Sequence, residues 1–397
     1  MRHIQCTISG KDVCGWAVGI LQHALGVLDW VKFQTKVTPH GLIEILVRAA
    51  AERRSLDAIA QLMERLSADT LRNVISRWLP REPARLDPVI RAALHGKLPK
   101  SLHRRPQTMV IDMHTKPFYG NRATLGVYRG QKKASTKTFF AYATLLIIRK
   151  GCTFTVGLIP VFNNKDWPGV IDQLLAQAAA RGLRPRCLLL DRGFYAAKVM
   201  KHLQEKKIPY VMPMIRRGRK AATKQACTGT QSFFVKRRCG WARYTWQARI
   251  RNPEGKPGPR MRMTTDVCMF PKEGRSSPFV FACYGMKNRS PKEIAELYRR
   301  RFCIETSYRQ MREGLALTCS KNPVYRLLLM LIALVLRNLW VWLHWTQMAI
   351  QGRYRKRALR LHLLRLRTML HWIVQTLDRD WRIPTCIAIP KPAAAAA

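Results

Sequence analysis

Hydrophobic positions along the chain change their spacing near residue 107. Residues 12–79 read as mostly helical, and two short amphipathic segments follow one another across residues 55–79. Beyond residue 107 the apolar positions come in short runs rich in β-branched and aromatic residues, which predict strands of one sheet. The predicted strands cover residues 108–113, 125–129, 138–149 and 153–161.

From residue 170 the pattern alternates between helix and strand, as it does in βαβ units. Residues 216–275 interrupt this alternation with alternating segments that predict a β-rich insertion. A strand over residues 279–284 follows, and Ser290 with Glu293 then forms a capping box that starts a helix, with Pro291 at its first position. The fold class is therefore α/β. The alternating elements are helices over 170–181 and 195–206 and strands over 187–191 and 209–214.

Three regions follow from these patterns. Residues 80–107 carry five prolines among basic residues and read as a linker with a short helix, so residues 1–106 are predicted to form a helical N-terminal domain and linker. Residues 107–345 form the α/β domain. Residues 346–397 form a basic C-terminal helical region and tail, in which one apolar stripe predicts a helix over residues 352–377.

The charge of the chain indicates a polyanionic partner. The 397 residues include 71 Lys and Arg against 23 Asp and Glu, which gives a net charge of +48. Nucleic acid is the leading candidate, and an anionic membrane surface is the rival. The most apolar stretch, residues 327–345, is broken by Arg337 and Asn338, so we expect a buried core helix and no membrane partner. No secretory signal is evident at the N-terminus, which favours a soluble intracellular protein.

Cysteine and histidine give little support to a disulfide framework or a zinc site. The 11 cysteines form no CxxC pair and are odd in number, so reduced thiols are expected. The ten histidines form no HxxxH or HExxH pair. Any metal ion is therefore expected to be held by carboxylates.

Three carboxylates stand at positions suited to metal chemistry. Asp112 lies inside a predicted apolar strand, Asp191 closes a later strand, and Glu305 lies on the helix after the insertion. Because a buried charge is costly without a partner, Asp112 needs one, and two magnesium ions about 4 Å apart, bridged by carboxylates, serve phosphodiester chemistry. Plainer alternatives remain open: Asp191 as a turn residue, and Glu305 as an exposed ion-pair partner of Arg301 and Arg309.

Residues 55–79 also fit a helix-turn-helix, with Ser67 capping the second helix. In that arrangement Leu71, Val74, Ile75 and Trp78 pack inward. An ordinary helical hairpin is the alternative. The residues that would face DNA are Thr70, Arg72, Asn73 and Arg77.

The helix after the insertion carries four residues spaced by three, four and seven positions, so that all share one helical face: Tyr298, Arg301, Glu305 and Arg312. This spacing resembles the YREK signature of insertion-sequence DDE transposases, with Arg312 where the signature has Lys. Residues 191–194 resemble the surroundings of the second catalytic Asp in that family, and Asp112 with residues 116–120 resembles the first.

The resemblance covers roughly residues 105–345 and implies an RNase H-like core with a β insertion, preceded by the all-α N-terminal DNA-binding domain and followed by C-terminal helices. It implies that Asp112, Asp191 and Glu305 bind two magnesium ions, with manganese as a substitute. It also implies that Tyr298, Arg301 and Arg312 contact DNA phosphates. Arg192 is a further candidate for a phosphate contact, although it is equally well explained as a turn residue. Trp241 and Trp246 are candidates for stacking on a DNA base, with packing within the sheet as the alternative.

The function implied is a DNA transposase that cleaves transposon ends and transfers strands into target DNA through hairpin ends. Its partners would be double-stranded terminal repeats and target DNA, bound by a homodimer in the cytoplasm at a prokaryotic nucleoid. The competing hypotheses are a catalytically inactive DNA-binding protein derived from a transposase and an RNase H-like nuclease. An intact set of Asp112, Asp191 and Glu305 argues against the inactive protein, because a pure binder gains nothing from three anions facing a polyanion.

Overall fold

The computed structural model describes most of the chain. The described residues are 7–29, 37–63, 66–149, 152–162, 166–219, 227–234, 239–251, 257–271, 274, 277–348, 350–351, 357–358 and 361–383.

A large mixed sheet forms the centre of the molecule. Within the described ranges it has nine strands in the order β2-β3-β1-β5-β6-β9-β8-β7, and β4 pairs with β3 beside β2. Strands β1, β5 and β6 are parallel to one another, and every other pair is antiparallel. The strands are β1 Gln107–Pro117, β2 Tyr128–Lys133, β3 Thr136–Arg149, β4 Cys152–Val161, β5 Pro185–Leu190, β6 Tyr210–Pro213, β7 Gly240–Arg251, β8 Pro257–Phe270 and β9 Phe279–Tyr284.

The sheet confirms the predicted strands and the β-rich insertion, with one correction. The predicted strand over residues 125–129 begins only at Tyr128, because residues 121–127 form successive turns in which Thr124 N donates to Asn121 O and Val127 N donates to Thr124 O. Leu125, 71% exposed, lies in these turns. The β-branched and aromatic residues next to Leu125 favour a strand, but the hydrogen bonds of the turns prevent one from forming before Tyr128.

Helices pack against the sheet, and a short two-stranded ladder follows the long apolar helix of the core. The capping box of Ser290 and Glu293 is present at the start of α8, with Pro291 as its first residue. The helices are α1 Gly10–Leu25, α2 Pro39–Glu52, α3 Leu56–Ala60, α4 Ala68–Trp78, α5 Asp87–His95, α6 Trp167–Ala179, α7 Ala197–Glu205, α8 Pro291–Arg299, α9 Cys303–Glu313, α10 Pro323–Thr346 and α11 Leu366–Asp380, and the ladder pairs β10 Ile350–Gln351 with β11 Arg357–Ala358.

Helix α10 is the core helix that the sequence predicts. Among the described residues it is the one helix long and apolar enough to cross a membrane by length and composition, and 94% of its most apolar window is buried inside the protein. Helices α1, α2 and α5 pack on it, and α11 packs on α1 and α2. One hydrophobic core thus runs from Val13 to Leu377 and crosses the expected boundaries at 106 and 345. The division into 1–106, 107–345 and 346–397 stays a prediction.

The C-terminal helix begins later than expected. Helix α11 starts at Leu366, whereas the leucine stripe predicted a helix over residues 352–377, part of which lies outside the described residues. The cause is a tertiary contact: the carbonyl of Leu364 accepts hydrogen bonds from Trp340 Nε1 at 3.0 Å and His344 Nε2 at 2.8 Å. A carbonyl held by α10 in this way does not continue a helix, and Leu361 and Leu363 are about half exposed.

The outer edge of β4 is closed by side chains. Asn338 accepts from Thr155 N at 3.0 Å and donates to Thr155 O at 2.7 Å, and Gln177 bonds both backbone groups of Leu158 in the same way. His95 Nε2 bonds the Val156 carbonyl at 2.8 Å. The backbone groups bonded in this way belong to an odd-numbered residue, Thr155, and then to even-numbered residues, Val156 and Leu158. The change occurs because the β3–β4 pairing has a register irregularity between Thr155 and Gly157. Side chains from three helices thus take the place of a further strand.

We predict that Asn338→Leu lowers the free energy of unfolding by about 2 kcal/mol, because it leaves the buried N–H and C=O of Thr155 without partners. Urea denaturation of the variant measures the change. Gln375→Leu, at an exposed position of α11, is the matched control and should leave the unfolding midpoint nearly unchanged. Equal stability of the two variants would contradict the proposed contribution of Asn338.

Candidate active site

Asp112 and Asp191 lie side by side on neighbouring parallel strands. Strand β1 pairs with β5 so that Ile111 lies opposite Leu190, and each Asp is the next residue along its strand. Asp191 then leaves β5 and precedes a 3-10 turn over Arg192–Phe194. The prediction that a first strand carries Asp112 and a later strand ends at Asp191 is confirmed, and the register explains why the two carboxylates meet.

The guanidinium of Arg301 lies between these two carboxylates. Its Nη1 is 3.3 Å from Asp112 Oδ2, and its Nη2 is 3.4 Å from Asp191 Oδ1. The Arg301 side chain is 8% exposed, compared with 18% for Asp112 and 43% for Asp191. One buried cation therefore faces two carboxylates, and both carboxylates aim at the same point.

Tyr298 lies beside Arg301 and is also buried. Its hydroxyl donates to the carbonyl of Leu190 at 3.3 Å, and its ring packs on Phe281 with centroids 4.9 Å apart. Burial raises the pKa of the Tyr298 hydroxyl, so it stays protonated. Tyr298 therefore fastens α8 to the end of β5, next to Asp191.

The single helix expected to carry Tyr298, Arg301, Glu305 and Arg312 is not continuous. A 3-10 turn over Arg300–Phe302 separates α8 from α9, and in it Cys303 N donates to Arg300 O. A 3-10 turn has three residues per turn instead of 3.6, so residues after the turn point in a different direction from the one that a continuous helix would give them. Tyr298 and Arg301 turn inward toward the carboxylates, and Glu305 and Arg312 are exposed.

Glu305 is exposed in the first turn of α9. Within the described part of the chain it forms no ion pair with Arg301 or Arg309, so the plain ion-pair alternative is not seen. Its charge is close enough to raise the pKa of Asp112. In the same part of the chain, no group of three or more His, Cys, Asp or Glu side chains is close enough to hold a metal ion as it stands.

Asp112 is the perturbed acid of the site. Burial raises its pKa to about 6, Arg301 and the hydrogen bond from Met113 N oppose the rise, and the charges of Asp191 and Glu305 add to it. The carboxyl of Asp112 is more acidic in the unfolded chain. Between about pH 4 and pH 6 the folded protein therefore holds a proton on Asp112 that the unfolded chain does not. Stability from this group is present below pH 4 and is lost as the pH rises through 6.

We expect the metal-free protein to lose about 3 kcal/mol of unfolding free energy between pH 4 and pH 7 through this carboxyl. The pKa of Asp112 rises from 3.8 to about 6 on folding, and each unit of pKa difference is worth about 1.36 kcal/mol. Urea denaturation in EDTA across this range, compared with Asp112→Asn, measures the contribution. Asp69→Asn, at an exposed position, controls for the loss of one carboxylate. The same pH dependence in wild type and Asp112→Asn would contradict the assignment.

Two further residues of the site were missed from the sequence: His114 and Tyr308. Asp112, His114 and Lys116 alternate on one face of β1, a pattern that was available as a signal. The His114 ring packs on Tyr308 with centroids 4.9 Å apart, and the Tyr308 hydroxyl bonds Thr144 Oγ1 at 2.7 Å. Burial, together with Arg312 and Lys116, lowers the pKa of His114 to about 3, so His114 is neutral.

A group of cations continues from the carboxylates along β1; we call Lys116, Arg53, Arg312 and Arg326 the basic strip. Burial and the three arginines lower the pKa of Lys116. The guanidinium of Arg326 lies 4.3 Å from the centroid of the Phe140 ring. None of these four groups forms an ion pair with a carboxylate of the described residues, so the strip is an anion-attracting surface.

The other predicted DNA contacts lie apart from the carboxylates or serve the fold. Arg192 is exposed on the turn after Asp191. Trp241 Nε1 donates to Arg289 O at 3.0 Å. Trp246 stacks on Tyr244 with centroids 5.0 Å apart, and both tryptophans are half-buried.

The predicted helix-turn-helix has a five-residue first helix, α3, and an eleven-residue second helix, α4, capped by Ser67. Arg72 pairs with Asp57 and Asp69, and Arg77 is exposed. Ion pairing of Arg72 within the hairpin reduces the charge it offers to DNA. The predicted inward face of α4 is confirmed: Leu71, Val74, Ile75 and Trp78 are buried.

Comparison with known proteins gives two findings. Residues 109–339 match the family model described as "Transposase DDE domain". The fold is similar to that of a piggyBac transposase, solved by cryo-EM as a synaptic complex with hairpin DNA, with a TM-score of 0.54 at 10% sequence identity. The likeness covers 96% of this chain and 82% of that one. No curated protein matches the sequence.

Proposed function

The chain belongs to the family of transposases that share the DDE domain, and from that membership we propose that it cleaves transposon ends and joins them to target DNA at Asp112, Asp191 and Glu305. The observation that carries this proposal is the convergence of Asp112 and Asp191 on one cation position, with Glu305 on the helix above them. Hydrolysis and strand transfer at one carboxylate site are the reactions proposed.

The strand order supports an RNase H-like core. The run β4-β3-β1-β5-β6 is a mixed sheet in which β1, β5 and β6 are parallel, and the insertion adds β7 and β8 to the sheet through β9. In this arrangement Asp112 lies on the central strand, Asp191 at the end of the next strand, and Glu305 on a helix behind the insertion. That placement agrees with the resemblance that the motifs carry.

The residues present fit a divalent cation. Asp112 and Asp191 offer only oxygen ligands, and a single positive group already lies between them, which is where a cation would be attracted. Asp112, Asp191 and Glu305 would hold magnesium, or manganese in its place, as two ions. Such ions supply an activated nucleophile and stabilise the leaving oxygen of a phosphodiester.

The protein's own side chains prepare this site. Arg301 holds the two aspartates toward each other and offsets their repulsion until a divalent cation replaces it. Tyr298, bonded to the Leu190 carbonyl, keeps the 3-10 turn that carries Arg301 against the end of β5. Glu305 is exposed, and within the described part of the chain its side chain has no hydrogen bond or ion pair to break when it turns toward the aspartates.

DNA is proposed to cross the carboxylates along the basic strip. Arg312 and Arg192 are exposed and are suited to phosphate, as the sequence suggests. Phosphate contacts by Tyr298 and Arg301 require the 3-10 turn to move outward, because both are buried here. Trp241 and Trp246 remain candidates for stacking on an extruded base, and a hairpin intermediate is in keeping with the hairpin DNA of the piggyBac complex.

The test is cleavage of a labelled duplex that carries the element's own terminal sequence, in magnesium and in EDTA. Metal-dependent nicking followed by a slowly migrating hairpin product on a denaturing gel is expected. Nicking without a hairpin would remove that step and keep the transposase assignment. Binding without any cleavage would instead identify a derived DNA-binding protein that has lost its chemistry.

A homodimer on DNA is part of the proposal, because joining two ends at once needs two active sites. Light scattering of the protein with end DNA under cleavage conditions measures this directly. Two protomers and two ends in one complex are expected. One protomer on one end during active cleavage would rule out the dimer.

A further inference from the structure

A second concentration of positive charge lies away from the carboxylates, in a cavity of about 500 Å³ between α9 and α10. Three arginines line it: Arg149 at the end of β3, Arg300 in the 3-10 turn, and Arg337 in α10. The described lining residues include no Asp or Glu. We call this cavity the arginine pocket.

Arg337 places a buried charge in this pocket, and no carboxylate of the described residues pairs with it. Its side chain is 3% exposed, and its hydrogen bonds go to Thr153 O at 2.8 Å, to Thr153 Oγ1, and to Gln310 Oε1 at 3.3 Å. All these acceptors are neutral. Burial lowers the pKa of Arg337 to about 10, so the guanidinium is still charged at neutral pH. A buried charge without an opposite charge is costly, which makes the pocket attractive to an anion.

The other two arginines of the pocket, Arg149 and Arg300, also form no ion pair with a carboxylate in the described ranges. Arg149 makes one long hydrogen bond, from Nη2 to Ser101 O at 3.4 Å, and its Nε is buried without a partner. Arg300 is exposed and forms no ion pair with the described residues. Burial, and after it the charges of Arg289, Arg300 and Arg149, lower the pKa of nearby Arg186, so Arg149 and Arg300 belong to a wider group of neighbouring cations.

We propose that the arginine pocket binds a phosphate group of a nucleotide. Guanidinium groups bind phosphate through paired, charge-assisted hydrogen bonds, and Arg149 and Arg300 both present free donors. The pocket walls are largely apolar and include Trp340 and Leu361, against which the sugar or base of the same nucleotide would pack. The phosphate can belong to a DNA strand or to a free nucleotide.

The pocket is separate from the carboxylate site but shares a helix with it. Cys303, Thr306 and Gln310 of α9 line the pocket, whereas Tyr308 of the same helix packs on β1. Glu305 is the residue before Thr306. A phosphate bound in the pocket would therefore hold α9 in place and, with it, the third carboxylate.

Isothermal titration of the full-length protein tests this, in EDTA and at constant ionic strength, with inorganic phosphate, AMP and a short single-stranded oligonucleotide as probes. Arg149→Gln and Arg300→Gln should each weaken binding about tenfold, the loss of roughly one charge-assisted hydrogen bond. Arg299→Gln, adjacent but outside the pocket, is the matched control and should bind as wild type does. Arg337 is left intact because its replacement risks unfolding the core.

Each outcome has a fixed meaning. Loss of phosphate and AMP binding in the two pocket variants alone supports a free nucleotide, and loss confined to the oligonucleotide supports a DNA strand. No binding of any probe by the wild type, or the same loss in Arg299→Gln, would overturn the proposal. Because neither metal nor cleavage enters the measurement, failure here leaves the proposed DNA-cutting function untouched.

Discussion

Replacing Glu305 by Gln is expected to lower the rate of DNA cleavage by on the order of 10³, the effect of losing about 4 kcal/mol of transition-state stabilisation at a metal-assisted site. Gln keeps the size and polarity of the side chain and removes only its charge. Glu305 is exposed and has no ion pair within the described residues, so the variant should fold normally. DNA binding should be kept or become tighter, because one negative charge near the phosphates is gone.

Single-turnover nicking of the labelled terminal duplex measures this rate, and a gel-shift titration measures binding. Glu296→Gln is the matched control, since Glu296 is exposed on α8 and lies outside the carboxylate site. Asp112→Asn and Asp191→Asn should lose cleavage to a similar degree. Cleavage at the wild-type rate by the Glu305 variant would show that the third carboxylate lies elsewhere.

Replacing Arg301 by Met should destabilise the metal-free protein by about 3 kcal/mol at pH 8, because two aspartates are left facing each other without their shared cation. This figure is already reduced for the partial exposure of Asp191. Without the guanidinium the pKa of Asp112 rises further, so protonation relieves the repulsion as the pH falls. The loss of stability should therefore shrink toward pH 5.

Thermal and urea unfolding of the Arg301 variant in EDTA, at pH 8 and pH 5, measure this dependence. Arg299→Met, two residues before Arg301 and exposed, controls for the loss of a positive charge from a very basic chain. A pH-independent loss would mean that Arg301 contributes by packing alone. Added magnesium should restore more stability to the variant than to the wild type, since in the wild type it must first displace the guanidinium.

The central elements were predictable because local pattern and final contacts agree there. The apolar strands around Asp112 and before Asp191, the capping box at Ser290 and the core helix α10 all follow from residue types within a few positions. The strand predicted over residues 125–129 was shortened by local turns. The other two wrong predictions, of the C-terminal helix and of an unbroken helix through Arg301, failed because distant residues decided the outcome. The Leu364 carbonyl is held by two side chains of α10, and Arg301 turns inward because two strands bring opposite charges to it.

In the candidate site, too, some features could be predicted from the sequence and others could not. The three carboxylates could be chosen from the sequence because each stands at a distinctive place: Asp112 within an apolar strand, Asp191 at the end of a later strand, and Glu305 in the motif after the insertion. The buried position of Arg301 could not be predicted. The spacing of three, four and seven residues places the four motif residues on one face only if the helix is unbroken. The alternation of Asp112, His114 and Lys116 was visible in the sequence, but only the contact of His114 with Tyr308 shows that His114 belongs to the site.

The side chains that close the edge of β4 bear on how two copies of this protein can meet. Edge strands with free backbone groups invite another chain to pair with them, which leads either to sheets shared between protomers or to aggregates. At Thr155 and Leu158 both backbone groups are already bonded, by Asn338 and Gln177. A second copy therefore cannot add a strand at this edge of the sheet without breaking those side-chain hydrogen bonds.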